Sequence, residues 1–186
     1  VIRFAIDAPV ELRPFAALDF GAVPQSMRGQ LTTTLRGDEG HRDLKFLDAR
    51  STDGDLQVTL EAKDELTVLR AVVTPNQLGS HRAAIAVRTS DPDYQVGIAA
   101  TWKVIPDLEA APMSKISFTT DLNARQDAAA LMRQFVLVTD HNADRTPEFT
   151  VAEIVAADGS DASRHFRAEL SPVPTAGRQQ RLAVQY

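Results

Sequence analysis

The chain has 186 residues, 44% of them hydrophobic and 24% charged, which suits one large domain or two of about 90 to 100 residues and excludes a disordered chain. A formal net charge of -5 gives no basic field for a sequence-independent grip on nucleic acid, and no apolar run approaches the ~18 residues that span a bilayer. The absence of cysteine excludes disulfides, thiolate nucleophiles and Cys-type zinc sites. The sequence begins at Val1 rather than Met, with no signal peptide or lipidation motif in view, which points to a processed or trimmed piece.

Residues 1–8 set Ile2, Phe4 and Ile6 against Arg3, Ala5 and Asp7, a strand signal that Pro9 ends. Pro14 lies in a connector leading to Leu18-Asp19-Phe20-Gly21-Ala22-Val23, where an apolar strand end meets a glycine turn. Leu31, Thr33 and Leu35 alternate next, and Gly37-Asp38-Glu39-Gly40 turns the chain because glycine supplies positive φ and Asp bonds nearby backbone. Leu44-Lys45-Phe46 starts a strand, Ser51-Thr52-Asp53-Gly54 turns, and Leu56, Val58 and Leu60 alternate cleanly. Lys63-Asp64-Glu65 turns again, and Leu66 to Thr74 is apolar on both faces, as a central strand would be. After the loop Pro75 to Gly79, Ala83, Ile85, Val87 and Thr89 form one strand face. Ser90-Asp91-Pro92-Asp93 makes a hairpin-type turn, and Val96 to Val104 closes the unit. Turns at intervals of roughly 8 to 12 residues, with no long helical period, predict a β-sandwich. Its expected core is Phe20, Leu31, Leu35, Phe46, Val58, Leu60, Val68, Val72, Ile85, Val87, Ile98 and Trp102.

A second round follows. The strand Val96 to Val104, the prolines Pro106 and Pro112, and Lys115-Ile116-Ser117-Phe118 repeat the order of strand, proline connector and short strand ending in Phe. Asn123 to Met132 fits either a capped short helix or a direct lead into a strand at Phe135–Val138. Further strands are expected at Phe149–Val155, Phe166–Leu170 and Leu182–Tyr186, the last pairing centrally. The expected fold is therefore all-β: tandem immunoglobulin-like β-sandwiches over residues 9–106 and 107–186, with 1–8 as the last strand of a preceding repeat or an extra N-terminal strand. By strand count the second sandwich is incomplete by two strands, which further chain or a partner would supply by strand addition.

The run Leu18-Asp19-Phe20-Gly21-Ala22-Val23, then Arg36-Gly37, Pro75 with Gly79, and Thr89-Ser90-Asp91-Pro92 before a closing strand, resembles bacterial Ig-like repeats with a D-F-G-x-V start. These belong with Hydin-type (ASH), PapD-like and major-sperm-protein sandwiches. The resemblance covers residues 15 to 105 well and 107 to 186 poorly, where Ser117-Phe118-Thr119 stands in place of Asp-Phe-Gly. It implies a tandem, extracytoplasmic module, periplasmic or on the cell surface, that binds or spaces proteins without catalysis. Many members carry cysteines where this chain reads Ser51-Thr52-Asp53-Gly54, so a redox or covalent role does not carry over.

Motifs for chemistry are sparse. His41, His81, His141 and His165 each neighbour turn or polar residues, with no H-E-x-x-H pair, and read as exposed loop histidines. Asp140, Asn142 and Asp144 offer oxygens at alternate positions, as a calcium loop would. Arg145, however, stands where an EF-hand needs Gly, and Val151 where it needs the bidentate Glu, so a polar turn is the favoured reading over a metal site. Asp158-Gly159-Ser160-Asp161 reads as a polar turn too. There is no G-x-S-x-G elbow and no glycine-rich phosphate loop. The sequence therefore assigns no catalytic residue and no cofactor. Arg125, Arg133, Arg164, Arg167, Arg178 and Arg181 give the second unit a basic character that suits either a protein interface or a solvated face. The expected function is a structural or protein-interaction module, a scaffold or accessory subunit of a membrane-associated complex. The alternative is an adhesin or carbohydrate-binding module with calcium-stiffened loops, against which an aromatic content of 6% argues.

Overall fold

The computed structural model describes residues 10–13, 17–63, 66–111, 133–156, 158–174 and 176–185. The strand expected over residues 1–8, the echo Lys115 to Phe118 and the helix-or-strand alternative over 123–132 lie outside the described residues. The chain divides into two compact units, Val1–Ile105 and Pro106–Tyr186.

The first unit contains β1 (Val10–Arg13), β2 (Ala17–Pro24), β3 (Gly29–Gly37), β4 (Phe46–Ser51), β5 (Leu56–Lys63), β6 (Leu66–Val73), β7 (Gly79–Thr89) and β8 (Gln95–Ile105). They form two four-stranded sheets, ordered β1-β3-β6-β5 and β2-β8-β7-β4. Every pairing is antiparallel except β2 on β8, which is parallel. Lettered in chain order, with β2 as an extra strand after A, the sheets read A-B-E-D and G-F-C, the immunoglobulin-type arrangement. Their facing sides close on one apolar cluster that includes Leu18, Leu35, Leu69, Ile85, Ile98 and Trp102.

Alternation dictates this core. In β7, Ala83, Ile85, Val87 and Thr89 are buried and the residues between them exposed; in β8, Ile98, Ala100, Trp102 and Val104 are buried, with Thr101 and Lys103 exposed and Ala99 half-buried between them. Strand β6 departs from expectation. Its core residues are Leu69, Ala71 and Val73, while Val68 and Val72 are only partly buried on the other face. With apolar residues at both parities, alternation could not choose a face, and the pairing of Leu69 with Thr33 and Leu60 does. The proline connector between residues 9 and 14 also holds a strand, β1, whose Val10 and Leu12 face Gly37 and Leu35.

The Asp19-Phe20-Gly21 step is a built kink. The Asp19 carboxylate accepts the Gly21 N–H at 3.0 Å, and Gly21 takes φ of 64°. The register against β8 shifts between Asp19 and Ala22. The extra residue flips the strand parity, so Leu18 and Val23 both reach the core. Thr101 of β8 donates its hydroxyl to the same Asp19 oxygen at 3.2 Å, tying the kink to its neighbour.

The second unit contains β9 (Leu108–Ala111), β10 (Arg133–Asp140), β11 (Arg167–Pro172) and β12 (Gln179–Gln185). They form one antiparallel sheet, β11-β12-β10-β9, with β12 inside it as expected for the last strand. Read from its other edge, the order is β9-β10-β12-β11, the A-B-E-D order of the first unit. Strand β9, like β1, occupies what the sequence presents as a proline connector. The strand expected at Phe149–Val155 is not there: the segment makes one isolated bridge, Val155 to Asp161. A strand needs a partner to satisfy its backbone, and none of the described strands pairs with this segment.

Candidate interaction site

Asp140 and its neighbours are engaged in holding a loop. Asp140, at the end of β10, is 2% exposed. Its carboxylate accepts the Asn142 N–H at 2.9 Å and the Arg145 Nε–H at 2.9 Å. The Arg145 hydrogen bond holds the Asp140 carboxyl below the usual range, against the opposing effect of burial, and raises Arg145 in turn. Arg178 donates to the backbone carbonyls of Asp140 and Arg145 at 3.0 and 2.9 Å. Asn142 accepts the Asp144 N–H at 2.9 Å. The side-chain oxygens of Asp140 and Asn142 therefore close two successive Asx turns, and a cation bound at Asp140 would have to displace Arg145. Asp158 forms a similar turn, accepting the backbone N–H and the hydroxyl of Ser160.

The histidines stand apart from one another. His41 hydrogen-bonds Asp38 at 2.7 Å through Nδ1 and the Tyr94 hydroxyl at 3.1 Å through Nε2, clasping two loops at one end of the first sandwich. Its carbonyl lies so close to Gly37 that a Cβ there would stand 1.9 Å away, which is why that position is glycine. His81 is not a loop residue. It lies in β7, pairs with Trp102 across the sheet, and stacks on the indole with ring centroids 5.5 Å apart. Trp102 is core, as its pattern predicts, although its Nε1 is buried with no partner among the described residues. His141 pairs with Glu109 at 2.9 Å, and His165 is exposed. Among the described residues, no histidine nitrogen bonds a serine or threonine hydroxyl, and no three His, Cys, Asp or Glu side chains gather where a metal could sit. No helix among them is long and apolar enough to cross a membrane.

The arginines do not form one patch. Arg178 is consumed in the Asp140 network, Arg164 lies in a turn, and Arg125 is outside the described residues. Arg133 lies at the start of β10. By register, Arg167 and Arg181 share one face of the sheet with Phe135 and Leu137. Arg181 stands 5.9 Å over the ring of Phe135, which is 59% exposed.

The opposite face of that sheet differs in kind. Cross-strand pairing places Val136, Val138, Ala168, Leu170, Leu182 and Val184 together on it. Of these, only Val136 is buried. The segment Phe149–Val155 lies across the others and leaves a groove of about 520 Å³. No single motif in the sequence announces this groove. Its signal is the alternation of β10, β11 and β12 taken together with a loop that pairs with none of them.

No protein-family model and no curated protein matches the chain. Similar solved structures include a Bacteroides ovatus xyloglucanase in complex with a heptasaccharide, 14% identical with a TM-score of 0.40 over 83% of this chain and 31% of that one. Surface layer protein SbsC, domains 1–6, is 9% identical with a TM-score of 0.36 over 95% of this chain and 21% of that one. A chimeric titin Z1Z2 is 10% identical with a TM-score of 0.38 over 94% of this chain and 80% of that one. This chain thus spans less than a third of the first two. Likenesses this distant transfer neither fold nor function, and the immunoglobulin-type assignment stands on the strand order of the sheets.

Proposed function

We propose that the chain is a non-catalytic interaction and spacer module of an extracytoplasmic assembly, with residues 9–106 and 107–186 as successive sandwiches of a tandem array and 1–8 as the last strand of a preceding repeat or an extra N-terminal strand. In its finer form it is an accessory subunit of a membrane-associated complex. The observation that carries the reading is the recurrence of one A-B-E-D sheet in both units, faced by a full second sheet in the first and, among the described residues, by a loop and an apolar groove in the second. A groove of this kind suits a protein partner. Asp38, His41, Asp140 and Arg145 are engaged in turns and clasps. The resemblance of residues 15 to 105 to Ig-like repeats supports the compartment.

The test is cross-linking in intact cells of the source organism, followed by fractionation. The chain should be recovered from the envelope fraction joined to another protein in fixed stoichiometry. Recovery as a free monomer in the cytosolic fraction would sink both the partner and the compartment.

A further inference from the structure

We propose that Phe149–Glu153 and the groove beside them receive a β-strand donated by a partner protein, a strand with an apolar residue at every second position that pairs with this segment as β7 pairs with β4. The proposal rests on the interaction reading above and adds where the partner is held and by what chemistry.

Two independent features of the second unit meet at this place. The first is apolar. Val138, Leu170, Leu182 and Val184 line the groove from the sheet, and Phe149 and Ile154 line it from the segment. The second is polar. Among the described residues, Phe149, Thr150, Val151, Ala152 and Glu153 make no hydrogen bond, backbone or side chain, whereas Ile154 accepts the Ala162 N–H at 2.9 Å and anchors the segment at its end. A run of free main-chain donors and acceptors beside an apolar slot matches a peptide strand, which brings complementary backbone groups and side chains together. An acyl chain or a sugar would satisfy one half of that requirement and leave the other unmet.

The first unit shows what fills the equivalent place. There β4 follows β3 in the chain, as Phe149–Glu153 follows β10. Its free groups are taken by β7, in register Ala49 with Val87 and Ser51 with Ile85. The same strand sends Ala83, Ile85 and Val87 into the core over the A-B-E-D sheet. One strand thus satisfies both the backbone and the apolar face. The donated strand should repeat that pattern, small or β-branched apolar residues alternating with polar ones.

The test uses the whole chain and hydrogen exchange read amide by amide. The probe is a synthetic peptide of residues 79–89, with a control peptide in which neighbouring residues are exchanged so that the alternation slips by one. The expected result is at least about tenfold slower exchange at Thr150–Glu153 with the probe and none with the control. Val151→Pro removes one donor from a residue that is 40% exposed, and Leu182→Gln makes the slot polar. Both should abolish the slowing while exchange in the first unit stays unchanged. Amides 150–153 that are already as slow as those of β10 and β12 in the dilute chain would overturn the proposal, because the chain would then cover its own groove. Protection that rises with chain concentration alone would overturn it in favour of a second copy. Slowing at another edge, or nowhere, would overturn it as well. A null result here alongside a retained cross-linked partner removes this site only, whereas loss of the partner removes the interaction reading itself.

Discussion

The two units carry the same A-B-E-D sheet and differ in what lies against it. In the first, Leu35, Leu69, Ala71 and Val73 face a complete second sheet and are 0% exposed. In the second, Val138, Leu182 and Val184 stand at equivalent positions and are half-buried; among the described residues they share a groove with the irregular segment Phe149–Val155 in place of a facing sheet. A sheet with one hydrophobic face becomes a domain core only when a second layer covers it. The comparison therefore separates what a strand pattern specifies, which is the sheet, from what it leaves to its neighbours, which is burial.

Core truncation should break the symmetry most visibly. Leu69→Ala removes a fully buried side chain at the centre of the first sandwich and is expected to cost about 2 to 5 kcal/mol in chemical denaturation followed by first-unit probes. Leu182→Ala in the second sheet should cost less, about 1 to 2 kcal/mol, since that side chain is only partly buried. Equal costs would mean that the groove is closed in solution and that the two faces are alike.

The kink in β2 offers a second, smaller comparison. Gly21→Ala keeps the Asp19 turn but places a Cβ at φ of 64°, which should destabilise the first unit by about 1 to 2 kcal/mol in the same assay. Nothing within 4 Å would meet that Cβ, so the whole effect is backbone strain. A neutral result would show that the bulge, and with it the inward placement of both Leu18 and Val23, survives without the left-handed residue.

These cases show where the sequence was legible. Strands with strict alternation, such as β5, β7 and β8, announced both their existence and their faces. Strand β6 announced only its existence, because Val68, Leu69, Ala71, Val72 and Val73 place apolar residues on both faces, and register against β3 and β5 decides. Phe149–Val155 carries strand-like residues, yet a strand is a property of a pair, and no described strand pairs with it. The short strands β1 and β9 hid between prolines, since four residues are too few for a periodic signal. The Asp140 network was half visible: the alternate oxygens could be read, whereas Arg145 and Arg178 filling the place of a cation depends on contacts made only in space.

The acid response should distinguish the two loops that follow the B-type strands. Asp38 accepts the Gly40 N–H and pairs with His41; Asp140 accepts the Asn142 N–H and pairs with Arg145. Each carboxyl is held below its ordinary value of 3.8, first of all by the side chain it pairs with. A lowered carboxyl contributes stability that is fully present above the ordinary value and is lost as pH falls through the lowered one. Both units should therefore lose stability below about pH 4, seen as falling melting temperatures between about pH 5 and 2. Arg145→Gln should lower the melting temperature of the second unit at neutral pH and flatten its acid limb, leaving that of the first unit as it was. An unchanged acid limb in that variant would mean that other carboxylates, such as Asp158 or Asp161, carry the second unit's response.

The smallest expected effect is none at all, and it discriminates between ways of stiffening a loop. Asp140, Asn142 and Asp144 have the spacing of a calcium loop, so a calcium-stiffened module would melt at a higher temperature with the ion present, by mass action on the folded state. The oxygens of Asp140 are instead engaged by Arg145 and the Asn142 N–H, and the oxygen of Asn142 by the Asp144 N–H. A guanidinium joined to the chain needs no free ligand and is not lost on dilution. Millimolar calcium should leave the melting temperature of the second unit unchanged, as should EDTA. Arg145→Gln, by freeing one buried carboxylate oxygen, should be the variant in which any calcium response first appears. A rise with calcium in the unaltered chain would show that the cation displaces Arg145, and would restore the adhesin reading that the loop's spacing first suggested.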